Sequence, residues 1–194
     1  MKSTLRLLPA LALAAVFAPL HADDVTDHLT AAKDAYEDGQ ISQAITALDT
    51  AAQFLRQKKA DLVAQLLPAA PKGWEASEPE TEAAASSMMG GGITARRSYT
   101  RGDASVTIKI QSDSAFMQAA MAFNNPALLT MGGAKLETIQ GQSVAILLEN
   151  GSTSGTLKTV IEGRYNFEIE GENVTADDLR TFANAFPFAK LIKL

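Results

Sequence analysis

The chain has 194 residues, 17 basic against 22 acidic, a formal charge of −5 and no cysteine. Without thiols it has no disulfide, no thiolate metal site, no cysteine nucleophile and no lipidated N-terminal cysteine. The acidic balance speaks against nucleic acid as a partner, because phosphate binding needs concentrated lysine and arginine.

Residues 1–22 begin with Lys2 and Arg6, continue as an apolar run over 7–20 and end at the small residue Ala22, the three-part pattern of a secretory signal peptide. Pro9 and Pro19 interrupt the run, which is shorter than the roughly twenty residues of a bilayer span. Cleavage is therefore expected rather than anchoring. The expected product is a periplasmic protein with no transmembrane anchor and about 15 basic against 22 acidic residues.

Residues 23–66 carry helical spacing. Leu29, Ala32 and Tyr36 share a face, and Asp38-Gly39 is a stop. Ile41, Ala44, Ile45, Leu48, Ala52 and Leu55 then recur at three- and four-residue steps through Leu62 and Leu66. Two helices with a short turn predict an antiparallel hairpin, and a hairpin of this kind is a candidate surface for homo-oligomerisation. The pattern Ala32-x-x-Ala35-Tyr36-x-x-Gly39-x-x-x-x-Ala44-Ile45-x-x-Leu48-x-x-Ala51 resembles a single tetratricopeptide repeat, in which small residues let the helices approach. One repeat does not imply that family's peptide-binding groove, since such repeats need neighbours.

Residues 67–92 hold Pro68, Pro71, Pro79, an alanine-rich run and Gly90-Gly91-Gly92, and are expected to form a linker or flexible loop. Trp74, after Pro71-Lys72-Gly73, is expected to anchor the first edge of the sheet that follows. From residue 93 the period becomes two. Val106, Ile108 and Ile110 alternate with Thr107, Lys109 and Gln111, and a turn at Arg101-Gly102-Asp103-Ala104 sets Tyr99 opposite Val106 and Ala95 opposite Ile110. A helix is expected over 113–123 with Phe116, Met117, Ala120 and Met121 on one side, and a helical turn over 128–131. Four strands are expected over 135–139, 142–149, 155–161 and 165–170. A connection through Glu162-Gly163-Arg164 sets Ile161 opposite Tyr165, Leu157 opposite Ile169 and Lys158 opposite Glu168. Thr175-x-x-Asp178 is a capping box for a closing helix with Ala176, Leu179, Phe182, Ala183 and Phe186 as its stripe. The expected class is α+β: a helical hairpin, then an antiparallel sheet of about six or seven strands with two helices.

Candidate chemistry is sparse. His28 is the sole histidine beyond residue 22, and the G-x-S fragment Gly141-Gln142-Ser143 leads into a strand, not the strand-to-helix elbow that exposes a serine nucleophile. Glu168 and Glu170 project from one face of the last strand and are candidates for ligand contact or paired-acid hydrolysis. Their bland reading is a solvated outer face beside Lys158. Met117, Met121 and Met131 are candidate soft ligands for Cu(I) or Ag(I), against a reading as core filling. Arg96, Arg97 and Arg101 are the one local basic concentration, able to meet an acidic ligand or the acidic hairpin. Neither a cofactor nor a catalytic residue is expected.

Pro71-x-Gly73-Trp74, the strand-rich middle and the closing helix resemble the Mog1 and PsbP type of α/β sandwich and, with the hairpin, uncharacterised secreted proteobacterial proteins. The resemblance implies a binding or accessory role and transfers no functional residue. The expected protein is thus a non-enzymatic envelope component whose partner is another envelope protein or a small ligand. A methionine-based metal carrier and a carboxylate hydrolase are the alternatives.

Overall fold

The computed structural model describes residues 23–83, 92–112, 126–148 and 153–194. Two helices, Asp23–Glu37 (α1) and Ile41–Ala64 (α2), precede strands Glu75–Ala76 (β1), Glu80–Ala83 (β2), Ile93–Arg101 (β3) and Ala104–Ser112 (β4). After the short helix Pro126–Met131 (α3) come Lys135–Ile139 (β5), Gln142–Leu148 (β6), Gly155–Ile161 (β7) and Tyr165–Glu172 (β8). Helices Ala176–Ala185 (α4) and Phe188–Leu191 (α5) close the chain. The α+β class holds. The helix expected over 113–123 lies outside the described residues.

The strands form one antiparallel sheet in the order β1-β3-β4-β8-β7-β6-β5, with β2 also pairing β3. Both registers argued from alternation are present. Tyr99 faces Val106 and Ala95 faces Ile110. Ile161 faces Tyr165, Leu157 faces Ile169 and Lys158 faces Glu168. In the β7–β8 turn Glu162 and Gly163 adopt φ of 50° and 62°, the left-handed conformations that a tight hairpin demands.

One face of the sheet is the core. Ile93, Ala95, Tyr99, Val106, Ile108, Ile110, Leu157, Ile161, Tyr165, Phe167 and Ile169 bury against α4, α5 and the C-terminal part of α2. Phe182 of α4 meets Trp74 edge-on at 5.0 Å and Tyr99 at 4.7 Å, while Phe167 touches both Phe186 and Phe188. Gly155 and Gly171 face each other across β7 and β8. A Cβ on Gly171 would lie 2.5 Å from Val174 Cγ2 and 3.2 Å from Leu179 Cδ2, so the bare backbone there makes room for the loop into α4 and for its first buried leucine. The capping box is complete: the Thr175 hydroxyl accepts from the Asp178 N–H, and the Asp178 carboxylate accepts from the Thr175 N–H. At the other end of α4, Gln140 Nε2 donates to the carbonyls of Ala183, Asn184 and Phe186, satisfying acceptors that a helix end leaves open.

Within 67–83 the structure differs from the expected linker. Leu67 and Trp74 are buried, and the Tyr99 hydroxyl donates to the Pro68 carbonyl at 2.8 Å. Strands β1 and β2 share the outer edge of β3, with Glu75 opposite Thr100 and Glu80 opposite Arg96, so the register slips by one residue between them. Pro79 falls in that slip, where a missing N–H breaks no ladder bond. Trp74 belongs to the core of the sheet.

Candidate functional site

The face of the sheet opposite the core is polar, and among the described residues α3 alone lies on it, through Leu129. Register places a charged row straight across the strands. Glu80 faces Arg96, Arg96 faces Lys109, Lys109 faces Glu168 and Glu168 faces Lys158. Glu168 sits between two lysine stems and keeps 8 % of its surface, with its carboxylate on Lys158 Nζ at 2.5 Å. Lysine stems cover flat surface while their heads stay wet, and the stems of Lys109 and Lys158 flank the enclosed carboxylate on the neighbouring strands.

Beside this row runs a trough of about 550 Å³ whose walls include Thr107, Leu147, Thr156, Lys158, Glu170 and Glu172. An apolar recess of about 280 Å³ adjoins it, sharing Leu147, Thr156 and Lys158 and adding Leu129, Ala134 and Ala145. Hydroxyls, one cation, exposed carboxylates and a leucine wall offer hydrogen bonding and modest apolar contact to something laid across the strands. Among the described residues no buried side-chain nitrogen or oxygen lacks a hydrogen-bond partner, and no cluster of three histidines or acids forms a cation site.

The sequence candidates disperse. Arg96 forms a salt bridge with Glu80 at 2.6 Å. Arg97 donates to the carbonyls of Ser77 and Pro68 and lies over the Tyr99 ring. Arg101 pairs with Asp178 at 2.9 Å and stacks over Trp74 at 4.4 Å. The three arginines therefore fasten β1, β2 and the first turn of α4 to β3 rather than holding the hairpin. Glu170 is exposed beside the trough, whereas Glu168 is enclosed. Met131 is 86 % exposed at the end of α3, while Met117 and Met121 lie outside the described residues. His28 stacks on Phe54 at 5.6 Å inside the hairpin.

Among the described residues two carboxyl groups have displaced pKa values, and both are lowered. The Arg180 fork holds Glu137 down. Burial pushes Asp178 up, but hydrogen bonds from Thr175 and Arg101 outweigh it and leave the group below the usual range. Lowering is the wrong direction for a general acid near neutral pH. Burial pushes the Tyr99 hydroxyl up to about 12. The threonine-lined trough escaped the sequence reading, since Thr107, Glu170 and Thr156 are opposite one another only after β8 inserts between β4 and β7.

No family model, curated protein or solved structure matches this chain.

Proposed function

We propose that the protein is an exported, non-enzymatic binding or accessory component of the cell envelope, and that the trough on the open sheet face receives its partner protein or small ligand. The observation that carries this reading is how the candidate charges are used. Arg96, Arg97, Arg101 and Glu168 are all engaged in bonds within the protein, so what the open face offers is a shaped, hydroxyl-rich surface rather than an activated acid or nucleophile. The basic and apolar start of the sequence supports export.

The test is retention of envelope components on the immobilised protein, identified by mass spectrometry, beside a Thr107→Arg/Thr156→Arg variant that fills the trough. The expected result is a component retained in stoichiometric amount by the natural protein and lost from the variant at unchanged melting temperature. Hydrolysis that disappears in Glu168→Gln or Glu170→Gln would replace this reading with the carboxylate enzyme. Cu(I) binding tighter than that of a Met117→Leu/Met121→Leu/Met131→Leu variant would replace it with the metal carrier.

A further inference from the structure

The helical hairpin is amphipathic in an unusual sense: its apolar side faces solvent. The two helices meet through small residues, with Ala32, Ala44 and Ala51 buried between them. Leu29 and Tyr36 follow the α1 contact residues His28 and Ala32 by one and four positions, and Ile45, Leu48 and Leu55 follow Ala44 and Ala51 by one or four. In an antiparallel pair, positions displaced in that sense on both helices project to the same side. The opposite side presents Ser42, Gln43, Thr46 and Thr50, and the Thr46 and Thr50 hydroxyls donate back to carbonyls four residues earlier.

Leu29, Tyr36, Ile41, Ile45, Leu48 and Leu55 keep between 47 and 69 % of their surface exposed. Together they expose on the order of 600 Å², at the upper end of the largest patch usual on a monomer and approaching the roughly 800 Å² per partner of a stable protein interface. Along α2 the stripe Ile41, Ile45, Leu48, Ala52, Leu55 steps by four and three, the spacing of a helix seam that seats another helix.

We propose that this face is covered by a second copy of the same chain, the two hairpins packing antiparallel about a two-fold axis at Leu48 into a four-helix arrangement. The area chooses the occupant and the acidic tip its direction. Asp34, Glu37 and Asp38 crowd the exposed tip of the hairpin. The two-fold arrangement sets Ile41 of each copy against Leu55 of the other and keeps the two acidic tips at opposite ends. A parallel arrangement would instead stack the acidic tip Asp34, Glu37 and Asp38 on its own counterpart. An isologous interface of this kind closes after two copies, so the sheet trough of each copy stays open and the proposal stands apart from the identity of the trough's ligand.

The experiment is mass determination by light scattering during size exclusion, on protein purified after expression of the whole reading frame, loaded at tens of micromolar. Two copies per particle are expected. Leu48→Glu, which places two carboxylates at the axis, is expected to weaken association by at least about 100-fold, with an unchanged circular dichroism spectrum. Because the natural chain has no cysteine, Leu48→Cys should be joined into dimers by a short bis-maleimide, while Thr46→Cys on the polar side should not. A monomer at these concentrations, a dimer indifferent to Leu48→Glu, or equal cross-linking from Thr46→Cys would overturn the proposal. The Thr107→Arg/Thr156→Arg variant should remain dimeric, so loss of the trough's ligand and loss of the dimer are read separately.

Discussion

From Ala60 onward α2 lies on the sheet and buries Ala60, Val63 and Ala64 beside Tyr99 and Trp74, whereas nearer its start the same helix leaves Ile41, Ile45 and Leu48 in solvent. The periodicity does not change between the two halves. What changes is the supply of neighbours: the C-terminal half meets β2 and β3, with Gln57 and Asp61 bonded to Thr81, and among the described residues the N-terminal half meets α1 alone. The comparison teaches that a hydrophobic stripe states a demand for burial without naming what meets it. On the sheet the demand is met within the chain. On the hairpin it is left unmet among the described residues.

The largest expected effect falls on the sheet side of that comparison. Phe182→Ala removes the ring that joins Trp74 to Tyr99 and should lower stability by about 3–5 kcal/mol in urea denaturation; a loss below about 1 kcal/mol would mean that the closing helix is not part of the core. Next comes Gly171→Ala, whose added methyl meets stiff Val174 and should cost about 1–3 kcal/mol, with the loss seen in the sheet and α4 together. Thr175→Ala breaks the capping box and should cost about 1 kcal/mol.

Acid sharpens the same contrast. Glu137 and Asp178 tie α4 to β5 and β3 through Arg180 and Arg101, and both have folded pKa values below their ordinary ones of 4.5 and 3.8. A lowered carboxyl stabilises the fold above its unfolded pKa and loses that contribution as pH falls through the folded value. The closing helix should therefore loosen below about pH 4, and Glu137→Gln or Asp178→Asn should flatten the acid limb of a stability–pH curve. The smallest effect belongs to the exposed face: Leu48→Ala, measured at concentrations too low for association, should change stability by less than about 0.5 kcal/mol. At high concentration the natural protein should gain stability that Leu48→Glu does not.

Much of the sheet was legible because alternation and turn length leave few registers. In the β7–β8 hairpin a two-residue turn would have set Leu157 against Glu168, and the structure has Leu157 against Ile169. The closing helix was legible because Thr175 and Asp178 are a local, reciprocal pair of bonds. β1 and β2 were not, since they are short, polar and interrupted by Pro79, and they owe their extended form to the unpaired edge of β3. Nor were the arginine roles: Arg101 finds Asp178 77 positions away, a distance along the chain that no local pattern carries. The trough shares this origin, because its walls come from β4, β6, β7 and β8 at once.

The amino-acid order by itself determined the hairpin helices, the longer strands, the closing helix with its cap, two hairpin registers and the division between a small-residue hairpin and an alternating sheet, all of which depend on neighbours a few positions apart. Only the tertiary structure decided which charges are spent in pinning strands and, among the described residues, which face of the sheet stays open and which part of the α2 stripe is left uncovered. Those outcomes depend on segments far apart in the chain competing for the same surfaces, and a one-dimensional pattern encodes the need for burial but not the surface that satisfies it.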